Sequence, residues 1–230
     1  MKNFFDFIVE ARAGVTKTGQ AIGQGGRDYE EVINDRLKKH GKRDVNATTA
    51  GSSADAPDAT FIHKGQEHNL EIKKDKGAMF GQMELKHDGE KWVASENSKK
   101  KYPETHKALV KSGFFNKLND RWGKPTGDYE KDLKMGNVYH THPNADPIKA
   151  HYGKDRKTPY IQIGGGHGFY HTGEDVAGLK SPELHGQTNI RARMKPRGWK
   201  DGKRTYGALV VMSLKGDIKK SHHDLDKDPT

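Results

Sequence analysis

Apolar side chains in this chain come in a few short, separated runs, chiefly residues 4–9, 59–62, 160–163 and 208–214. Only 31% of its residues are hydrophobic and an equal 31% are charged, so the core must be assembled from those runs while the remainder forms loops and solvated faces. A length of 230 residues fits one large domain, or a domain with appended segments, better than two independent ones.

Lysine and arginine outnumber acids by 41 to 31, a formal net charge of +10. A polyanionic partner follows naturally, because neutralising phosphates releases their counterions. The absence of cysteine excludes disulfides, thiolate nucleophiles and cysteine-ligated zinc, leaving oxygen and nitrogen ligands for any site chemistry. No apolar run approaches the ~20 residues that span a bilayer, so no membrane partner is expected and the protein reads as soluble.

Along the chain, residues 1–12 read as a short amphipathic helix carrying Phe4, Phe5, Ile8 and Val9, and the glycine-rich residues 11–26 as a flexible linker. Tyr29, Val32, Ile33 and Leu37 recur at helical spacing, which predicts a helix over 28–39 with Gly41 just past its end. Residues 59–62 and 70–72 read as a hairpin turning at Lys64-Gly65. A helix is expected over 105–121, strands over 160–163, 168–171, 190–194 and 206–214, and a charged, frayed tail over 217–230. Gly164-Gly165-Gly166 lacks the lysine and helix of a phosphate loop and reads as a tight turn.

The most informative pattern is Pro57-Asp58 followed by Glu71-Ile72-Lys73. Cutting a phosphodiester needs a stabilised phosphorane and an activated water, which a hard divalent cation held by carboxylates can supply. Asp58 and Glu71 are the expected metal ligands, with Asp55 a rival to Asp58. Positions two apart on a strand share a face, so Glu71 and Lys73 project together while Ile72 enters the core. Lys73 would then orient the water or help to deprotonate it. Glu30, which shares a helix side with Ile33 and Leu37, is preferred over Glu31 as an additional acid.

This arrangement resembles the PD-(D/E)XK, or restriction-endonuclease-like, nuclease superfamily. The resemblance rests on Gly26-Arg27-Asp28-Tyr29-Glu30, Ala56-Pro57-Asp58-Ala59-Thr60-Phe61, Leu70-Glu71-Ile72-Lys73 and Gly81-Gln82, within about residues 25–95. It implies an α/β fold whose central mixed sheet is flanked by helices, here with additional C-terminal β-rich elements. It also implies DNA cleavage with Mg²⁺ or Mn²⁺, and places Gln82 beside the centre to contact DNA or brace Lys73.

Arg191, Arg193, Lys195 and Arg197, with Lys200, Lys203 and Arg204 beyond them, form a basic cluster interleaved with Trp199 and Tyr206. Alternate arginines on one strand face suit phosphate contact, with a solvated basic loop as the alternative. His140-Thr141-His142-Pro143 is similar to the His-x-His-Pro of metal-dependent deubiquitinase-like peptidases. The serine and aspartate that complete that pattern fall on Ala150 and Gly153, so it is not taken as a zinc site.

Residues 1–11, from Met1 to Ala11, resemble the capsid-targeting sequence of internal head proteins in T-even-like phages. Ile8-Val9-Glu10 matches the Ile/Leu-x-Glu triplet after which the maturation protease cuts, between Glu10 and Ala11. That resemblance implies a leader over 1–10, a linker over 11–26, a nuclease domain with C-terminal extension over 27–216 and a tail over 217–230. It also implies a prohead and its protease as partners, and a journey from capsid interior to host cytoplasm. The alternatives are a non-enzymatic phage internal protein that binds DNA or blocks a host enzyme, and a freestanding homing endonuclease.

Overall fold

A computed structural model describes residues 17–41, 56–200 and 202–227. The leader residues, the Glu10-Ala11 bond and Asp55 lie outside them. Helix α1 (Lys17–Lys39) begins eleven residues before the expected start at Asp28, so residues 17–26 belong to the helix and not to a linker. Glycine weakens a helix interior without forbidding it, and Gly19, Gly23, Gly25 and Gly26 all lie within this helix.

The chain then forms strands β1 (Ala59–His63) and β2 (Gln66–Lys73), joined as expected by Lys64-Gly65, both at positive φ. That backbone twist matches the twist of paired strands. Next come β3 (Gln82–His87), β4 (Trp92–Ala94), α2 (Glu96–Lys101), α3 (Pro103–Lys111) and α4 (Phe114–Arg121). The single helix expected over 105–121 is therefore two, broken where Gly113 adopts φ +77°. After α5 (Tyr129–Leu133) and β5 (Val138–His142), α6 (Asp146–Lys149) runs into a π-helical segment (Ala150–Asp155). Strands β6 (Tyr160–Ile163), β7 (Gly168–His171), β8 (Gln187–Lys200) and β9 (Lys203–Lys215) complete the fold.

Two sheets result. Sheet A is mixed, in the order β1-β2-β6-β7, with β2 parallel to β6 and its other pairs antiparallel. Sheet B is antiparallel, in the order β4-β3-β9-β8-β5. The architecture is thus the expected α/β one, a central mixed sheet flanked by helices with additional C-terminal antiparallel strands.

Helix α1 packs Ile33 and Leu37 onto one face of sheet A, against Leu70, Ile72 and Tyr160. Beyond the other face lies a larger core in which Ile161, Ile163 and Tyr170 join Leu109, Phe114, Leu118, Ile148 and the inner side of sheet B. Period-two alternation sends Leu70 and Ile72 to the helix side and Glu71 and Lys73 to the opposite one.

The expected fraying of residues 217–230 is corrected for residues 217–227. Ile218 is buried, Phe169 N–H donates to the His223 carbonyl at 2.7 Å, and Arg36 donates to the Leu225 carbonyl at 2.6 Å. Tyr29 donates its hydroxyl to Asp226 at 2.7 Å. This charged segment docks through polar bonds that carry no hydrophobic period. Among the described residues no helix is long and apolar enough to cross a membrane.

Candidate active site

Glu71 is the centre of the site. It lies two residues before the end of β2, is 2% exposed, and faces the large core, where an ionised carboxylate must be compensated. Lys73, on the same face of the strand, donates to Glu71 Oε1, and the Tyr152 hydroxyl donates to that same oxygen at 3.0 Å. Arg156 donates through Nη1 to Glu71 Oε2 at 3.0 Å. Both oxygens are therefore engaged.

Asp58 immediately precedes β1 and accepts the Ile72 N–H at 2.9 Å, which continues the β1–β2 pairing beyond Leu70 through a side chain. Its Oδ2 stands 3.5 Å from Lys73 Nζ, so one ammonium bridges the two acids. Arg156 Nη2 donates to the Ala56 carbonyl at 2.7 Å and ties the segment before Asp58 to the same cluster.

Burial pushes the Glu71 carboxyl above the usual range, with Lys73 and Arg156 opposing that shift and Asp58 adding to it. Burial also works against the Lys73 ammonium, but the acidic groups around it, Tyr152, Glu71 and Asp58, outweigh that and hold its pKa above an ordinary lysine's. Lys73 is thus a fixed positive charge, which suits orientation of a water better than its deprotonation. Glu30, half-buried on α1, is raised to about 7 by burial and then by the negative charge of Asp58. Glu30 is thus coupled electrostatically to Asp58, Lys73 and Glu71; Glu31 is exposed.

Gln82 does not join these groups. It opens β3, pairs with Val211 of β9 in sheet B, and is exposed in the same cross-strand row as Arg191. The chain leaves sheet A after Lys73, so the residue following Gly81 enters a different sheet. Gly81 instead gives its space to the His151 ring: a Cβ there would stand 2.7 Å from Nε2.

The residues missed from sequence are Tyr152 and Arg156. The π-helical turn buries Ala150, His151 and Tyr152 in succession. Arg156 N–H then reaches back to the His151 carbonyl at 3.0 Å. The segment is pinned by Asp155, which accepts the backbone N–H groups of Glu104 and Thr105 at 3.0 and 2.8 Å and so caps α3. Thr105 Oγ1 donates to Asp155 at 2.6 Å and lies 3.2 Å from His151 Nδ1. Since the hydroxyl proton goes to Asp155, His151 carries its proton on Nδ1. Burial, with Arg156 and Lys73 nearby, lowers the His151 pKa to about 3, so the ring is neutral.

Among the described residues no group of three His, Asp or Glu side chains is placed to hold a metal ion. The donor chemistry nevertheless fits a small hard cation, which one or two carboxylates and substrate oxygens can hold. Asp58 and Glu71 already share one positive charge, the Lys73 ammonium. Arg156 Nε is buried and without a hydrogen-bond partner among the described residues. His140 and His142 lie half-buried on β5, remote in sequence and sheet from this cluster.

Arg191, Arg193 and Lys195 alternate along β8, opposite the buried Ala192 and Met194, so they share the open face of sheet B. Arg197 folds onto Glu84 and forms an ion pair. No protein-family model, curated protein or solved structure matches this chain.

Proposed function

We propose that the chain is a metal-dependent deoxyribonuclease with Asp58, Glu71 and Lys73 at its cleaving centre. The observation that carries this reading is the convergence of two carboxylates, a lysine and an arginine, both half-buried, at one end of β2, with Glu30 electrostatically coupled to them. Asp58 and Glu71 would hold Mg²⁺ or Mn²⁺ once the Lys73 ammonium moves aside. When bound, the cation supplies Lewis-acid stabilisation of the phosphorane and a more acidic water.

The chain's own groups divide the remaining work. Lys73, held positive, orients the attacking water and neutralises developing charge. Glu30, whose pKa of about 7 matches a neutral working pH, accepts the water's proton. Arg156 holds Glu71 Oε2 and the Ala56 carbonyl in place. Tyr152 fixes the Glu71 rotamer.

The test uses purified full-length protein on supercoiled and linear DNA, with Mg²⁺ or Mn²⁺ and with EDTA. Metal-dependent cleavage that disappears in Asp58→Ala and Glu71→Ala is expected; unimpaired cleavage by those variants, or none by the unaltered protein with either metal, removes the assignment. Discrete fragments would point to a homing endonuclease and a smear to general degradation.

One observation favours a second reading: both Glu71 oxygens are occupied by Lys73, Tyr152 and Arg156, as in a structural strut. A non-enzymatic phage internal protein that binds DNA or a host enzyme would then bind without metal and cut nothing. The leader-like residues 1–11 support packaging in a phage capsid and delivery to the host cytoplasm as part of either proposal.

A further inference from the structure

We propose that the free end of the β8–β9 ribbon is an arm that docks in a groove of duplex DNA. This rests on DNA being the substrate, but not on the assignment of the cleaving residues. Pairing of β3 with β9 ends at Leu85↔Ala208, and pairing of β5 with β8 ends at Val138↔Ala192. The ribbon continues without either neighbour through Lys195↔Gly207, Pro196↔Tyr206, Gly198↔Thr205, Trp199↔Arg204 and Lys200↔Lys203. A two-stranded antiparallel ribbon has the width that the major groove of B-form DNA admits, whereas a full sheet does not.

The arm's composition fits that occupant. Lys195 and Arg204 lie on it, and the sequence adds Lys200 and Lys203, a charge complementary to a phosphate backbone. Trp199 is 73% exposed, while the other two tryptophans, Trp92 and Trp122, are 3% and 2% exposed in the core. Arg204 lies 5.0 Å from the Tyr129 ring and 6.0 Å from the Trp199 ring, so two aromatic rings restrict its guanidinium. The base of the arm is braced by α5, where Tyr206 donates to the buried Asp132. An anchored base thus carries an exposed tryptophan away from the body of sheet B. The bulge between Pro196 and Gly198 turns Arg197 back to Glu84, which leaves Lys195, Trp199 and Arg204 as the contacting side chains.

The burial of Trp92 and Trp122 makes Trp199 the dominant target for iodide quenching. The experiment titrates the full-length protein, in EDTA to suppress cleavage, with a 20-base-pair duplex and with its separated strands. It follows iodide quenching of tryptophan emission and anisotropy of labelled DNA. The duplex is expected to shield Trp199 and to bind more tightly than either strand. Trp199→Ala should weaken duplex binding about tenfold, the order of one large apolar side chain no longer removed from water. Lys195→Ala should lower the slope of log affinity against log salt by about one. Quenching unchanged by duplex, tighter binding of single strands, or shielding of Trp199 by concentration-dependent self-association without DNA would each overturn the proposal. Because metal and cleavage are absent, a negative result leaves the nuclease reading standing, and failure to cleave leaves this one standing.

Discussion

The Tyr152 hydroxyl donates to Glu71 Oε1 at 3.0 Å from 81 residues away in sequence, with both side chains buried. The bond joins the π-helical segment to the end of β2 and makes the site a property of the tertiary fold. Replacing Tyr152 with Phe keeps the ring and deletes one bond to a charged group. A loss of about 1.5–3 kcal/mol in urea unfolding is expected, with metal-dependent cleavage reduced through misplacement of Glu71; unchanged stability would show that the bond carries no net weight.

Removing Glu71 should be costlier than removing its partner as well. Glu71→Ala leaves two cations, Lys73 and Arg156, with Asp58 as the one carboxylate among the described residues bonded to either, a change worth roughly 3–5 kcal/mol when a buried pair is broken. Adding Lys73→Met removes one of these cations and should recover part of that loss. Chemical denaturation of the single and double variants measures the recovery, and its absence would mean that solvent reaches Lys73 freely.

Glu30 and His151 make opposed contributions to the pH dependence. Glu30 is raised to about 7 in the fold, so between the ordinary carboxylate value of 4.5 and 7 the native state holds the extra proton, and stability from this group is lost as pH rises. His151 is lowered from 6.5 to about 3, so over that range the unfolded state holds the extra proton, and stability is lost as pH falls. The two slopes cancel where the windows overlap, between 4.5 and 6.5. Glu30→Gln removes one of them, so the variant should gain stability relative to the parent as pH rises from 4.5 to 7. Urea midpoints at stepped pH in EDTA test this; parallel curves would show that Glu30 titrates as an ordinary carboxylate.

Deleting residues 221–230 should loosen α1 rather than leave it unaffected. Arg36 loses the Leu225 carbonyl and Tyr29 loses Asp226. Amide hydrogen exchange at Ile33 and Leu37 is expected to accelerate by about tenfold or more, as for local opening made easier by one or two bonds. Unchanged protection would mean that the segment merely rests on the surface.

Packaging predicts a particular terminus. Protein recovered from virions should begin at Ala11, and deletion of residues 1–10 should abolish incorporation while leaving DNA cleavage intact. Intact-mass measurement decides between this and an unprocessed Met1.

The parts of the fold legible in the sequence are those written in local periodicity. The hairpin turning at Lys64-Gly65 and the common face of Glu71 and Lys73 follow from a period of two, and Ile33 and Leu37 mark the buried side of α1 by a period near four. Tyr152 and Arg156 were not legible because a π-helical turn has neither period, and the Asp155 cap that positions it joins residues 50 and 51 apart. The docking of residues 217–227 is not legible because it runs through Asp224, Asp226 and backbone carbonyls, groups that also abound in solvated tails. That Gln82 enters sheet B was not legible because adjacency to β2 in sequence says nothing about which sheet the next strand joins.

The π-helical turn makes residue count itself a determinant of the site. One residue fewer between Lys149 and Arg156 would close an ordinary α-helical turn and rotate every following side chain by about 100° around the axis. Arg156 would swing away from Glu71 and Ala56, although no residue type at the site had changed. Length in this short stretch is therefore as restrictive as chemistry: single-residue deletions there should be rejected in selections for function even where conservative substitutions of the same residues pass.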